Sequence, residues 1–126
     1  MDGRANREKL RWPLRLTSER CGGVLVLVAA GRLSHASADH LKTALDEAIR
    51  TETGGLVLDL GGVDYVSSGG LVAIEDAAER LSQAGGRLAL CNVAGPIRVA
   101  FDLGGLLSKL VIEPGREGAA GRVRRS

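Results

Sequence analysis

Aromatic side chains are almost absent from this sequence, because Trp12, Tyr65 and Phe101 are the only three among 126 residues. The core must therefore be built from aliphatic side chains, and a hydrophobic content of 44% is sufficient for that in a globular protein. The same scarcity argues against the aromatic platforms on which single-stranded nucleic acids stack.

Cysteine is also scarce. Cys21 and Cys91 are the only two, they lack the C-x-x-C spacing, and each lies in an apolar segment. Such thiols are typical of buried positions in a reducing compartment. No apolar run reaches the roughly 18 residues of a membrane-spanning helix, and the first residues lack the apolar centre of a signal peptide. The sequence therefore predicts a cytoplasmic protein without a membrane span.

Charge is unevenly distributed along the chain. The formal net charge is +2, but residues 14–114 carry 9 basic and 12 acidic side chains, so both ends are basic. Basic ends could bind nucleic acid or anionic lipid, but solubilising tails are the commoner cause of this pattern. We therefore predict a disordered N-terminal arm at 1–13, one domain at 14–114, and a basic disordered tail at 115–126. Direct DNA binding is not expected.

Strand and helix patterns alternate within residues 14–114. Two strand patterns are followed by three helices of 3.6-residue periodicity, each leading to a further strand, and Gly61-Gly62 is expected to end the third strand. This order predicts an α/β fold with parallel crossovers, about five strands and helices packed on the sheet. The predicted strands cover 14–20, 24–29, 56–60, 87–93 and a short segment near 112, and the helices cover 38–49, 67–81 and 96–101.

The segment Val66-Ser67-Ser68-Gly69-Gly70-Leu71 is the most informative part of the chain. A buried-strand pattern leads into a turn, and two serines begin a helical pattern. Hydroxyl and N–H groups at a helix N-terminus favour an anion, including a phosphate carried by one of the serines. From position alone, plain helix capping by these serines is the favoured interpretation, and a capping serine is also where a phosphate is tolerated.

Several short motifs occur in a fixed order along the chain. They read Gly-Arg-Leu-Ser-His-Ala-Ser-Ala at 31–38, Leu-Val-Leu-Asp-Leu-Gly-Gly-Val at 56–63, Val-Ser-Ser-Gly-Gly-Leu at 66–71, Ala-Gly-Gly-Arg-Leu at 84–88 and Leu-Gly-Gly-Leu at 103–106. Together they resemble the STAS domain of bacterial anti-sigma-factor antagonists over about residues 14–114. The resemblance implies a mixed, STAS-like sheet of about five strands.

The resemblance also implies a function without catalysis or cofactor, known as partner switching. The unphosphorylated antagonist binds an anti-sigma factor that is also a serine protein kinase. Phosphorylation of a loop serine by that kinase releases the antagonist, and a phosphatase restores it. The structural elements that would take part are the loop and the first turns of the following helix.

The loop departs from the family pattern at one position that matters. Gly69 stands where the usual phosphoserine is found, so the resemblance assigns the phosphoacceptor to Ser68, with Ser67 as the alternative. Ser34 stands where many members have an aspartate, and the family's final helix is not evident after residue 115. The predicted partner-binding residues are Ser34, Asp64, Ser67, Ser68, Gly69, Gly70, Leu71 and Glu75.

The sequence also allows functions other than the partner switch. The main alternative is a non-phosphorylated STAS scaffold, or a subunit of a lipid-transport or stress-signalling complex, and a nucleic-acid binder using the basic ends is a third. Asp59 and Asp64 could form a metal pair, but further hard ligands are missing, so Asp59 is interpreted as a strand-end or loop-organising carboxylate. His35 and His40 are interpreted as surface residues, and no nucleophile-elbow motif indicates a hydrolase.

Overall fold

The computed structural model describes residues 14–51 and 54–124, so the predicted arm at 1–13 lies outside the described residues. The described part contains five strands and four helices. In chain order they are β1 (Leu14–Cys21), β2 (Val24–Leu33), α1 (Ala38–Thr51), β3 (Leu56–Val66), α2 (Ser68–Gln83), β4 (Leu88–Cys91), α3 (Gly95–Leu103), β5 (Val111–Glu113) and α4 (Arg116–Val123).

The strands form one mixed sheet in the order β1-β2-β3-β4-β5. β1 pairs antiparallel with β2, and every later pair is parallel. The parallel pairs follow from the helical crossovers, which return the chain to the same edge before each new strand. The mixed α/β sheet predicted from the sequence is confirmed.

Alternating side chains of β3 and β4 supply two hydrophobic clusters, one on each face of the sheet. Leu56, Leu58 and Leu60 point into the larger cluster, which includes the buried residues of α1, α2 and α3. Val57 points to the other face, where α4 packs. The period of two that separates the faces is the ordinary alternation of a strand.

Strand β3 does not end at Gly61-Gly62, and that expectation was wrong. Between the pairs Val28–Asp59 and Ala30–Gly62, β3 holds one residue more than β2, which is the signature of a bulge. A Cβ on Gly62 would lie 2.7 Å from the Cβ of Ala30, so glycine permits the close approach of the two strands here. The strand then continues to Val66, six residues beyond its expected end at residue 60.

The basic tail predicted to be disordered is largely helical, which corrects the expectation for residues 115–126. Helix α4 covers Arg116–Val123 and buries Ala119, Ala120 and Val123 against the second face of the sheet. Two alanines and one valine carry little hydrophobic signal, and glycines weaken the helical pattern, so packing rather than propensity holds this helix.

Asp59 ties α4 to the sheet. The residue is 4% exposed, and its carboxylate accepts hydrogen bonds from the Gly61 N–H (2.9 Å), Asn92 Nδ2 (3.1 Å) and Arg116 Nε (2.7 Å). Arg116 also forms an ion pair with Glu19 of β1. Burial alone would raise the pKa of Asp59, but these donors outweigh it and hold the pKa below its usual value. Of its two expected roles, Asp59 therefore has the loop-organising one, because it contacts Asn92 in the loop after β4; it lies within β3 and not at the end of the strand.

Replacing Asp59 by asparagine should make the protein less stable in a pH-dependent way. At pH 7 we expect Asp59→Asn to lower the free energy of unfolding by about 1–3 kcal/mol, because the Arg116 guanidinium loses its carboxylate partner and an amide NH2 replaces one of the two accepting oxygens. Since the folded pKa is depressed, the stabilisation is complete above about pH 4 and is lost as the pH falls through the folded value. Urea unfolding at pH 7 and pH 3 measures both quantities. The exposed Asp64→Asn is the control, and a difference that stays constant down to pH 3 would contradict the assignment.

The packing of α4 can be tested through Cys91, which lies beneath it in the same cluster. Burial, together with the charge of Asp59, raises the pKa of the Cys91 thiol to about 11. We expect Ala120→Asp to increase the rate at which iodoacetamide alkylates Cys91, followed by peptide mass spectrometry. Gly121→Asp is the matched control, because a side chain at 121 meets no neighbour within 4 Å. Equal rates in the two variants would show that α4 does not cover this face.

Candidate functional site

Ser67 forms the junction between β3 and α2 and has two structural hydrogen bonds. Its Oγ accepts from the Gly70 N–H at 3.2 Å, which caps the first turn of α2. Its own N–H donates to the carbonyl oxygen of Leu33 at 2.8 Å, at the end of β2. The Ser67 hydroxyl is therefore already used by the fold.

Gly70 lets α2 start directly against the end of β2. A Cβ at this position would lie 2.5 Å from Cγ of Leu33, closer than real Cβ contacts, and 3.2 Å from Cγ2 of Val66, which is a tight contact. Gly70 itself is buried. The glycine that follows the serines is thus required by close packing, and it fixes where the N-terminus of α2 lies.

Ser68 is the first residue of α2 and is exposed. Within the described residues its hydroxyl forms no hydrogen bond. It opens onto a groove that runs between α1 and α2 and contains side chains of both charges. The other residues lining this groove are His35, Ala38, Asp39, Lys42, Gly69, Val72, Ala73, Asp76 and Arg80.

The charges in this groove largely compensate each other. Asp46 of α1 pairs with Lys42 at 3.2 Å and with Arg80 of α2, and Arg80 Nε lies 3.2 Å from a carboxylate oxygen of Asp76. The hydrogen bond from Arg80 is the main reason why the pKa of Asp46 is lowered. The groove therefore offers Ser68 a surface of apolar and charged side chains with little net charge.

Ser34 lies next to this junction, in the turn that leads into α1. Its N–H donates to Ser37 Oγ at 2.9 Å, and Ser37 Oγ donates to the carbonyl oxygen of Arg32 at 2.9 Å. Ser37 is buried. Ser34 is thus part of a hydrogen-bonded turn that directly follows Leu33, whose carbonyl oxygen accepts from the Ser67 N–H, so this turn lies beside the serine loop.

The predicted residues do not all lie together. Glu75 forms an ion pair with Lys109 at 3.0 Å and lines a different depression of the surface, so the structure separates it from the groove beside Ser68. Asp64 is exposed near the end of β3. Among the described residues, no group of three or more His, Cys, Asp or Glu side chains could hold a metal ion, so Asp59 and Asp64 are not part of such a group. Leu71 packs against the core. The compact part of the predicted site is therefore Ser34 with residues 67–71.

His35 is the residue of this site that the sequence did not identify. Its Nδ1 lies 3.3 Å from the point that a Cβ on Gly69 would occupy, so the imidazole stands over the first turn of α2. The expectation that His35 is a surface residue is confirmed, because it is exposed. Its contact with Gly69 depends on the fold, since the two residues lie far apart in the sequence.

Ser67 and Ser68 should differ in their effects on stability. We expect Ser67→Ala to lower the free energy of unfolding by about 1 kcal/mol, because a helix cap is lost. Ser68→Ala should leave it within about 0.5 kcal/mol of the parent protein, as for a typical exposed position. Urea denaturation of the two variants side by side gives both values. Equal losses would contradict the separate roles of the two hydroxyls.

Comparison with known proteins identifies relatives along almost the whole chain. A model of the STAS domain matches residues 15–119. BtrV of Bordetella bronchiseptica, provisionally named an anti-sigma factor antagonist, is 34% identical over 85% of this chain and 92% of its own length. The anti-sigma F factor antagonist of Paenibacillus polymyxa is 32% identical over 79% of this chain and 86% of its own.

Solved structures share the fold at lower identity. An anti-sigma factor antagonist from Mycobacterium paratuberculosis superposes with a TM-score of 0.80 at 23% identity, covering 89% of this chain and 95% of its own. The phosphorylated form of the Bacillus cell fate determinant SpoIIAA gives a TM-score of 0.66 at 20% identity, covering 87% and 100% of the two chains. Among the described helices of this protein, none is long and apolar enough to cross a membrane.

Proposed function

The chain belongs to the STAS domain family, and we propose that it acts as an anti-sigma factor antagonist in a phosphorylation-controlled partner switch. The unphosphorylated protein binds an anti-sigma factor that is a serine protein kinase. Phosphorylation of Ser68 ends the binding, and a phosphatase restores the free hydroxyl. The names of the two curated relatives support the antagonist role, and the phosphorylated form of SpoIIAA supports control by phosphate.

One observation carries this proposal: of the two loop serines, Ser68 presents its hydroxyl to solvent while Ser67 caps the helix. A kinase can phosphorylate only a hydroxyl that is accessible to the kinase active site. Ser68 meets that need without loss of a structural hydrogen bond. Ser67 would have to give up its bond with the Gly70 N–H, so it is the less suitable acceptor.

A phosphate at Ser68 has different consequences in the free and bound states. The modification adds a charge of about −1.5 to −2 at neutral pH. In the free protein the N-terminus of α2 favours such a charge, by about 0.3–1 kcal/mol near an exposed helix end. In a packed interface the same charge would lose its water and meet any acidic group of the partner. The difference between the two states drives release.

The proposed partner-binding surface is centred on Ser68 and the first turns of α2. Gly69, Gly70 and Leu71 belong to this surface. Val72, which lies one helical turn beyond Ser68 and is 62% exposed, adds an apolar contact. Ser34 and Asp64 belong to the proposed surface as originally predicted. Glu75 would take part only if its ion pair with Lys109 were broken on binding. The proposal further includes a cytoplasmic location and no catalytic activity of its own.

A second function is favoured by a specific observation, the absence of a hydroxyl at position 69. It is a constitutive STAS scaffold, or a subunit of a lipid-transport or stress-signalling complex, that is never phosphorylated. Proteins that copurify with the tagged full-length chain separate the two functions. An ATP-binding, kinase-like protein supports the partner switch, whereas an ABC transporter or other STAS proteins support the scaffold.

The charge at position 68 should control partner binding. Against the copurified kinase-like partner, Ser68→Ala should bind within about twofold of the parent chain, and Ser68→Asp should bind at least about tenfold more weakly. Ser82→Asp, on the exposed far end of the same helix, is the matched control and should bind normally. Equal affinity of all four proteins would remove Ser68 from the interface. Phosphate mapping with the partner and ATP that finds neither Ser67 nor Ser68 modified would refute the phosphoswitch.

A further inference from the structure

We propose that His35 determines which loop position can accept a phosphate, because it covers position 69 and leaves Ser68 open. At the first turn of α2, Ser67 caps the helix and Ser68 is exposed. It deepens the proposed function, on which the acceptor role of Ser68 rests. The cover over position 69 is a property of the folded chain and can be measured without any partner.

A side chain at position 69 would contact three neighbours. Its Cβ would lie 3.3 Å from His35 Nδ1, 3.7 Å from the Cβ of Ala38 and 3.7 Å from Ser67 Oγ. The first of these distances is short enough that the imidazole would have to move slightly. A hydroxyl placed there would point into the space between the start of α1 and the cap of α2, within reach of an imidazole nitrogen as hydrogen-bond acceptor.

The backbone that carries His35 belongs to a structured turn. The carbonyl oxygen of His35 accepts from the Ala38 N–H at 3.4 Å, and the hydrogen bonds of Ser34 and Ser37 brace the turn on both sides. Ser37 Oγ anchors it further to the Arg32 carbonyl at 2.9 Å. The turn therefore fixes the backbone of His35 beside the start of α2.

The three positions at the start of α2 thus differ in what a hydroxyl could do there. At Ser67 it caps the helix, at Ser68 it is exposed, and at position 69 it would lie beneath His35. The protein's other histidine, His40, is exposed on α1 and does not line the groove, so it provides a matched control.

Thiol labelling tests the cover directly. A single new cysteine, Ser68→Cys or Gly69→Cys, is introduced into a Cys21→Ser background. Each of these two proteins is prepared with the native histidines, with His35→Ala, with His35→Gln and with His40→Ala. Peptide mass spectrometry then follows the alkylation of the new cysteine by iodoacetamide. With His35 in place we expect position 68 to react at least about tenfold faster than position 69, and His35→Ala to bring the two within about threefold. His35→Gln should keep most of the cover, and His40→Ala should change nothing. Loss of a basic side chain would by itself slow the alkylation of a nearby thiol. A faster reaction in the His35→Ala variant therefore shows that position 69 has become more accessible.

Equal rates at positions 68 and 69, or no effect of His35→Ala on position 69, would overturn the inference. Cys91 stays unlabelled while the fold is intact, so labelling of Cys91 identifies a variant that has unfolded. A second arm avoids the cysteine substitutions: Gly69→Ser, with and without His35→Ala, is incubated with the copurified partner kinase and ATP. Phosphate should remain at Ser68 when His35 is present and extend to position 69 when it is absent. Phosphate at position 69 with His35 present would overturn the inference. If no variant is phosphorylated but the labelling pattern is as expected, the proposed function is refuted, and the shielding of position 69 by His35 is still supported.

Discussion

The buried carboxylate of Asp59 is the interaction on which the rest of the structure depends. It accepts from the Gly61 N–H at the bulge of β3, from Asn92 after β4, and from Arg116 of α4. Asn92 has a φ of 56°, so this contact also accompanies an unusual backbone turn. Because the bulge is stabilised, β3 continues beside β2 as far as Val66. That continuation brings the serine loop next to Leu33 and places the start of α2.

The sequence predicted the elements whose aliphatic residues repeat with a clear period. It missed α4 because that helix buries small residues, and because its anchor is an ion pair between Arg116 and Asp59, 57 positions apart. The extension of β3 was missed for a related reason. A glycine pair usually interrupts a strand, and only the side chain of Asp59 and the close approach of Ala30 explain why Gly61-Gly62 continues this one.

The candidate site was predicted where it is local and missed where it is not. A strand, a capping serine and a helix follow one another in residues 66–71, so their arrangement could be inferred from the order alone. Spacing could not assign separate roles to Ser67 and Ser68, since either could cap; the contact between the Gly70 N–H and Ser67 Oγ settles which one does. The contact of His35 with position 69 arises from the packing of α1 against α2. The ion pair of Glu75 with Lys109 likewise depends on tertiary structure.

The proposed phosphorylation of Ser68 would act on a partner without disturbing the fold that carries the serine. The Ser67 cap and the packing of Gly70 on Leu33 do not involve the Ser68 hydroxyl, so a phosphate there leaves the internal contacts in place. The nearby cations do not neutralise the added charge, because Lys42 and Arg80 already pair with Asp46, and Arg80 also pairs with Asp76. The new charge therefore faces outward, at the surface where a partner would bind. In the proposed switch, the energy that separates bound from free protein comes from the interface and not from any rearrangement of the domain.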